Sequence, residues 1–404
     1  MTRTIFTGGL VYDGTTGRPA EGDVVAEDGR IVDVGTGLDG DVSVDCSGGY
    51  VSPGFMDCHV HVTLDNPSQM RILETPFSLQ FFSAAQNLKK TLDTGITSVR
   101  DAGGADLGIK EAVDRGMIPG PRMQISLIML SQTGGHGDDW SICGGDVPFF
   151  LPHPGRPSGV VDGPDEVRKR VREIIRAGAD VIKVATTGGV LSPRDDPRHG
   201  HFRDAEIAVM TEEATAAGIH VMAHAQGAGG IKAALRNGVR SIEHGIFLDD
   251  EAIEMMLQAG AWLVPTLQAP RAVIAAADAG LPIPESSVEK ARSTVVAHLD
   301  SVRRAHEAGV RIAMGTDSGV GAHGTNLEEV ELMTEAGLSS LDALHATTGS
   351  AAELMDVATD RGTIRPGLRA DLVVVDGDPE DVTKLGDRVR AVYLDGTEVS
   401  RRPS

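Results

Sequence analysis

Aromatic side chains are scarce in this chain: Phe, Tyr and Trp make up 3% of 404 residues. Its core must therefore be filled mostly by Val, Ile, Leu and Ala, drawn from a hydrophobic share of 41%. Cysteine is nearly absent. Cys46, Cys58 and Cys143 are an odd number without regular spacing, which excludes a disulfide framework. No apolar run is long enough to cross a bilayer, and the opening MTRTIFTGGLVYDG lacks the apolar segment of a secretory signal. Basic residues are outnumbered, 37 Lys and Arg against 58 Asp and Glu, for a formal net charge of −21. That balance disfavours nucleic acid and anionic membrane. We expect a cytoplasmic homo-oligomer that acts on a small molecule, with no nucleic-acid or membrane partner.

Glycine, by contrast, is plentiful and regularly placed. A polar-faced helix, a Gly and a short apolar run recur in KKTLDTGITSVRDAGG, VREIIRAGADVIKVATTGG, TEEATAAGIHVMAHAQG, IKAALRNGVRSIEHG, MMLQAGAWLVPTLQ and RRAHEAGVRIAMGTDSG. Each Gly stands where a helix C-cap is expected, and each run reads as a parallel strand covered on both faces. With VSPGFMDCHVHV and RMQISLIML they make about eight strands between residues 51 and 318. Strict alternation with helices predicts an α/β fold, a (β/α)8 TIM barrel. A doubly wound sheet is the alternative, but its Gly-rich phosphate turn is missing after the first strand, which ends in His-Val-His.

The two ends of the chain differ from the middle. TIFTGGLVYDG and GDVVAEDGRIVDVG near the start, and GTIRPGLRADLVVVDGD and VRAVYLDGTEVS near the end, show short strands and Gly turns. They predict a small β-sandwich built from both ends. The expected division is 1–53 and 355–404 for the sandwich and 54–354 for the barrel.

In a parallel barrel, reactive groups sit at the C-terminal ends of the strands. Those ends carry His59 and His61, Lys183, His224, His244 and Asp317. A single histidine is more often a packing residue than a ligand. Four histidines and an aspartate at one barrel mouth are a different matter, and suit a divalent transition metal such as Zn²⁺. His59 and His61 alternate along one strand and face the same way. His224 and His244 come from neighbouring strands. Lys183 sits in the apolar strand VIKVA, where an unpaired ammonium is costly. Two explanations stand side by side. The neutral amine reacts with carbon dioxide to give a metal-bridging carbamate, or the ammonium pairs with Asp180, Glu243 or substrate.

GFMDCHVHV, VIKVATTGG, VMAHAQG, SIEHG and GTDSG, in that order, resemble the amidohydrolase superfamily over essentially the whole chain. TGGHGD at 133–138, VDGPDEVRKRVREIIRAGADVIKV at 161–184 and GTIRPGLRADLVVVDGDP resemble its imidazolonepropionase-like branch, with its binuclear Xaa-Pro dipeptidases and amino-acid carboxypeptidases. The resemblance implies two divalent ions, Zn²⁺ first, with Mn²⁺ or Co²⁺ as alternatives. His59, His61 and Asp317 would hold one ion and His224 and His244 the other. Lys183, carboxylated by carbon dioxide to N6-carboxylysine, and a hydroxide would bridge them. The hydroxide would attack an amide carbonyl, with Asp317 as proton shuttle.

Xaa-Pro dipeptides or N-acyl amino acids are the expected substrates. The alternative is a cyclic amide or a xenobiotic or mycotoxin amide, carbamate or urea. A metal-free scaffold on the same fold would need none of the six residues.

For substrate binding the sequence offers His136 in SQTGGHGDDW, His323 after the last strand, and Arg198 in the basic loop 191–207. Trp140, Phe149 and Phe150 are an aromatic cluster, a substrate wall or a lid. His298 and His306 are expected on a solvated helix face, His220 at the far end of its strand, and His345 in helix packing.

Overall fold

The computed structural model describes residues 2–141, 143–192 and 194–402. The six punctuating glycines, at 95, 178, 218, 238, 260 and 309, all adopt left-handed φ between 59° and 98°. A Cβ would strain that conformation, so each stops its helix and turns the chain into the next strand. The helix Gly163–Arg176 illustrates the packing. It buries Val167, Val171 and Ile174 at positions i, i+4 and i+7, and its Arg and Glu residues face outward.

Five strands from the N-terminus are β1 (Thr4–Val11), β2 (Ala20–Glu27), β3 (Arg30–Gly35), β4 (Val42–Asp45) and β5 (Gly49–Pro53). Three more, β15 (Leu372–Asp376), β16 (Val389–Leu394) and β17 (Thr397–Arg401), join them in one eight-stranded sheet, ordered β17-β16-β15-β5-β1-β2-β3 with β4 branching from β1. Both chain ends thus meet, as expected. The sheet has its own buried cluster, including Phe6, Val24, Ile31, Leu372 and Tyr393.

Between them run, among the described residues, nine parallel strands: β6 (Phe55–Val60), β7 (Ile96–Asp101), β8 (Arg122–Ile125), β9 (Met129–Leu130), β10 (Val181–Ala185), β11 (His220–Gly227), β12 (Ser241–Phe247), β13 (Trp262–Val264) and β14 (Arg311–Ile312). They do not close into the single barrel ladder expected. They form an arc of six, β14-β13-β12-β11-β10-β9, and an arc of three, β6-β7-β8.

Two readings of strands are corrected here. VSPGFMDCHVHV is not one strand: β5 lies in the terminal sheet and β6 in the parallel arc. RMQISLIML is broken into β8 and β9 at Leu127, whose φ is 67°. β8 pairs with β7 and β9 with β10, so the two arcs share this one bent segment. At the other seam, Cys58 N–H donates to Met314 O (2.8 Å), Asp317 N–H to His59 O (2.7 Å) and His61 N–H to Ser318 O (2.7 Å). Asp57 braces that seam. Its buried carboxylate accepts from Thr316 Oγ1 (2.7 Å) and Asn326 Nδ2 (2.8 Å). It therefore serves the scaffold, although it shares a strand with His59 and His61.

Among the described residues, no helix is long and apolar enough to cross a membrane. The terminal sheet is tied to the parallel arcs by Arg122, which donates to Asp371 (2.9 Å) and Asp395 (2.7 Å). Asp371 is buried, while Arg122 keeps about a quarter of its side chain in solvent (26%). Arg122→Ala should cost about 2 kcal/mol in urea unfolding, less than the loss expected for a fully buried pair. An unchanged midpoint would show that the tie contributes nothing.

Candidate active site

The strand ends converge as the sequence implied. His61 Nε2 lies 3.1 Å from Asp317 Oδ1, and His59 Nε2 lies 3.5 Å from the same atom. The rings of His59 and His244 are 5.1 Å apart between centroids, and those of His224 and His244 are 4.7 Å apart. All are buried or nearly so.

The hydrogen bonds on the outer ring nitrogens decide which nitrogen faces inward. His59 Nδ1–H donates to Glu243 Oε2 (2.8 Å) and His61 Nδ1–H to Gly103 O (2.8 Å). His59 therefore presents an Nε2 lone pair, whereas burial of His61 is outweighed by Asp317, whose carboxylate holds that imidazole above the usual histidine range. His224 is reversed: Nε2–H donates to Gly188 O (3.0 Å), which leaves Nδ1 as the base. His244 Nδ1 lies 2.6 Å from Thr266 Oγ1. Outer partners of this kind orient metal-binding imidazoles. Burial and nearby positive charge push His59, His224 and His244 well below the usual histidine range, so they are neutral, as ligands must be. Burial opposes ionisation of Asp317, but His59, His61 and Lys183 hold its carboxyl well below the usual carboxylate range.

Lys183 is almost fully buried, with Nζ 3.3 Å from His59 Nε2. Neither expected carboxylate pairs with it. Asp180 is taken by Lys110 (2.7 Å). Glu243 is held by His59 and by Arg100 (3.0 Å). Burial pushes the Lys183 ammonium down to about 8, so a neutral amine is accessible near physiological pH.

Two of these residues carry backbone strain. His244 (φ 72°) and Asp317 (φ 61°) lie in the left-handed region, as does the His244 partner Thr266 (φ 54°). Such conformations cost about 1–3 kcal/mol each and persist where the surroundings enforce them. Glycine would relieve the strain, but only at the loss of the functional side chain.

Above this floor is a cavity of about 90 Å³. Its walls are mostly apolar, with Leu64, Met129, Phe149, Phe150, Leu191 and Val320 among them. Asp139 also lines it, its carboxyl pushed up to about 7 by burial. Phe149 and Phe150 are wall residues. Trp140, the third member of the aromatic cluster, is exposed and stacks under Arg194.

His136 stands at the cavity edge, stacked on His224 at 4.2 Å. Gly189 makes the stacking possible, since a Cβ there would come within 2.2 Å of the His136 ring. Ser192 donates its hydroxyl to Asp195, so its oxygen accepts from His136 Nδ1–H (2.7 Å). That bond leaves Nε2 as the His136 ring nitrogen free to meet a ligand. An oxyanion role would require the imidazolium.

Several expectations fail. His323 does not line the cavity; its Nε2–H donates to Leu64 O (3.0 Å), tying two loops together. Arg198 points to solvent over the Phe247 ring and does not reach the cavity. His298 is buried, not solvated, because its Nε2–H donates to His244 O (2.9 Å). By contrast, His220, paired with Asp356 (2.6 Å), and His345, donating to Gly14 O (2.9 Å), sit apart from the site as expected.

Sequence reading missed Arg100, Asp101, Asp139 and Thr266, and gave Glu243 only as a partner for Lys183. Asp101 accepts from Gly103 N–H (3.0 Å) and so shapes the loop that holds His61. The one available signal was charge inside apolar strands, in ITSVRD and SIEHG.

The chemistry of the donor set tests its fit to a metal. Ligand atoms of His59, His244 and Asp317 lie within 4.8 Å of one another. His61 joins them through Asp317. The neutral imidazoles of His59, His224 and His244, beside an ionised carboxylate, fit a borderline-soft divalent cation.

Parallel strands ending in histidine, lysine and aspartate around one cavity form a site whose donor set fits a divalent cation. The chain belongs to the amidohydrolase family, whose model matches residues 50–399. It is similar to a Xaa-Pro dipeptidase solved with methionine in its active site, with 33% identity, 98% of this chain and 100% of the other covered, and a TM-score of 0.90. A prolidase solved with N-methylphosphonate-L-proline is 38% identical over 99% and 100% of the two chains, with a TM-score of 0.91. Ochratoxinase of Aspergillus niger is 34% identical over 352 residues, 84% of this chain and 73% of the relative. Its structure aligns with a TM-score of 0.87 over 99% and 96% of the chains.

Thr266→Val keeps the branched shape and removes the partner of His244 Nδ1. Zinc affinity, read by chelator competition, should fall about 10–100-fold with the fold intact. Undiminished affinity would mean that Thr266 does not orient His244.

Proposed function

We propose that this protein hydrolyses an amide bond in a dipeptide or N-acyl amino acid, using two divalent ions. His59, His61 and Asp317 would hold one ion, His224 and His244 the other, and carboxylated Lys183 would bridge them. Residues 54–354 would form the catalytic barrel, with 1–53 and 355–404 as the attached β domain. The observation that carries this reading is the convergence of all six side chains on the floor of one cavity.

The two ions would supply electrophilic pull on the amide carbonyl and acidify a water toward neutral pH. The protein's own groups do the rest. Lys183 Nζ, as the neutral amine, forms a C–N bond to carbon dioxide and releases one proton. The product is an anion on a long stem, which removes the cost of a buried ammonium. The Asp317 carboxylate accepts a proton from the attacking water and delivers it to the departing nitrogen, which leaves poorly unless protonated. The apolar walls exclude competing water and seat the substrate's flanking groups.

One observation favours a second reading. Among the described residues, no arginine, and no lysine except Lys183, lines the cavity. A substrate carboxylate would therefore meet no side-chain cation at the walls. That supports amides with large apolar groups, including cyclic or xenobiotic ones, as the competing class.

Purified protein should be loaded with Zn²⁺ or Mn²⁺, its metal content measured, and a panel of Xaa-Pro dipeptides, N-acyl amino acids and aryl amides assayed. Two ions per chain and amide turnover are expected. Asp317→Asn should lower kcat by about 10²–10⁴, the usual scale of a positioned proton carrier. Lys183→Ala should lower metal content as well as rate. Absence of bound metal together with inertness toward the whole panel would refute the hydrolase reading; full metal and full rate in Lys183→Ala would refute the bridge.

A further inference from the structure

Glu329 is fully buried, yet it does not line the cavity. Burial pushes its carboxyl up to about 8, against the pull of two backbone N–H groups. These donors are Leu267 N–H, which meets Oε1 at 2.6 Å, and Gln268 N–H, which meets Oε2 at 2.9 Å. They open the helix Gln268–Asp278, and the first N–H groups of a helix have no partner within it. The N-cap position is Leu267, whose apolar side chain cannot cap. Glu329, on the helix Glu328–Glu335, supplies the cap from 62 and 61 positions away.

The turn held in this way begins at Thr266. That β-branched residue lies in the left-handed region (φ 54°), where it is strained. Pro265 before it has no N–H with which to brace the turn. Ala269 N–H donates to Thr266 O (3.1 Å), so Thr266 closes the first turn of the helix. Its hydroxyl lies 2.6 Å from His244 Nδ1. A carboxyl that fixes the two residues after Thr266 therefore fixes where that hydroxyl points.

Further bonds lock the same corner. Gln268 Nε2 donates to Asn326 O (3.1 Å) and Thr325 O (3.3 Å), just ahead of Glu329. Asn326 Nδ2 donates in turn to Asp57 (2.8 Å), the brace of the seam beside Asp317. Thr266, Asn326 and Asp57 are all buried. The turn that holds His244 and the seam that holds Asp317 are thus clamped to each other, with Glu329 at the joint. Low local dielectric makes each bond of such a network stronger and its loss costlier.

We propose that Glu329 is a positioning residue for His244: its carboxyl locks the Thr266 turn, and the Thr266 hydroxyl orients the imidazole. The consequence for metal binding rests on the donor set of the proposed function. The orientation itself does not.

The test is a double-mutant cycle in the full chain, because two substitutions are non-additive when one residue acts through the other. Glu329→Gln keeps the size and sets an amide N–H against one of the two backbone donors. Zinc affinity, read by chelator competition, should fall about tenfold, the scale of an outer partner of a metal ligand. In the Thr266→Val background the same substitution should cost less than about twofold, since the hydroxyl through which Glu329 acts is gone. Where Glu329→Gln does not fold, Glu329→Asp keeps the charge and withdraws the oxygens by one methylene, and the same non-additivity is expected. The second readout uses metal-free protein with ¹⁵N-labelled histidine. Glu329→Gln and Thr266→Val should move the His244 Nδ1 resonance in the same direction, and the double variant should move it no further than Thr266→Val alone.

Losses that multiply in the double variant would show a purely structural role and overturn the proposal. Full zinc affinity or an unmoved His244 resonance in Glu329→Gln would do the same. A wild-type protein that bound no zinc would sink the two-ion reading, and the metal-free resonance would still decide the role of Glu329.

Discussion

The structure depends on one constraint: a cluster of imidazoles, a lysine and a carboxylate must be buried at the end of an aliphatic parallel sheet. Burying polar groups is costly unless each finds a partner. The chain of contacts from His59 through Glu243 to Arg100 is the central answer. Arg100 also donates to Cys58 O (2.7 Å) and so grips the strand that carries His59. The neutral imidazole, the carboxylate and the guanidinium form one buried network beneath the site. Low local dielectric makes such a network strong when complete and costly when broken.

The same logic explains the strained residues. Left-handed His244 and Asp317 are tolerated because their surroundings over-determine them. Asp317 N–H is fixed on His59 O, and His244 is held through its carbonyl by His298 and through its ring by Thr266. Strain and burial therefore fall together on His244 and Asp317. This is the pattern of a site organised for function rather than for stability.

Much of this was legible in the sequence. The recurrent helix–Gly–strand unit foretold the parallel strands, and the six capping glycines behave as their spacing implied. The residues at the strand ends foretold the cavity floor. The exceptions have physical causes. The solvated-face reading of His298 failed because helix periodicity tells which residues share a face, not which face another element covers. Arg198 was read as a substrate grip from its charge, yet its guanidinium found the Phe247 ring and solvent. Leu127 breaks a strand that reads as continuous, because a left-handed residue other than glycine or asparagine leaves no compositional mark.

Local pattern by itself determined the parallel α/β build, the β-rich character of both chain ends, and the six polar side chains at the ends of the strands. These follow from short-range alternation, which any window of the chain contains. The tertiary structure alone decided the tautomers and the loss of Asp180 and Glu243 as partners for Lys183. Those depend on partners far apart in the chain. His59 and Glu243 are separated by 184 positions, and His323 and Leu64 by 259. A hydrogen bond over such a span is set by how the elements pack, which periodicity does not encode.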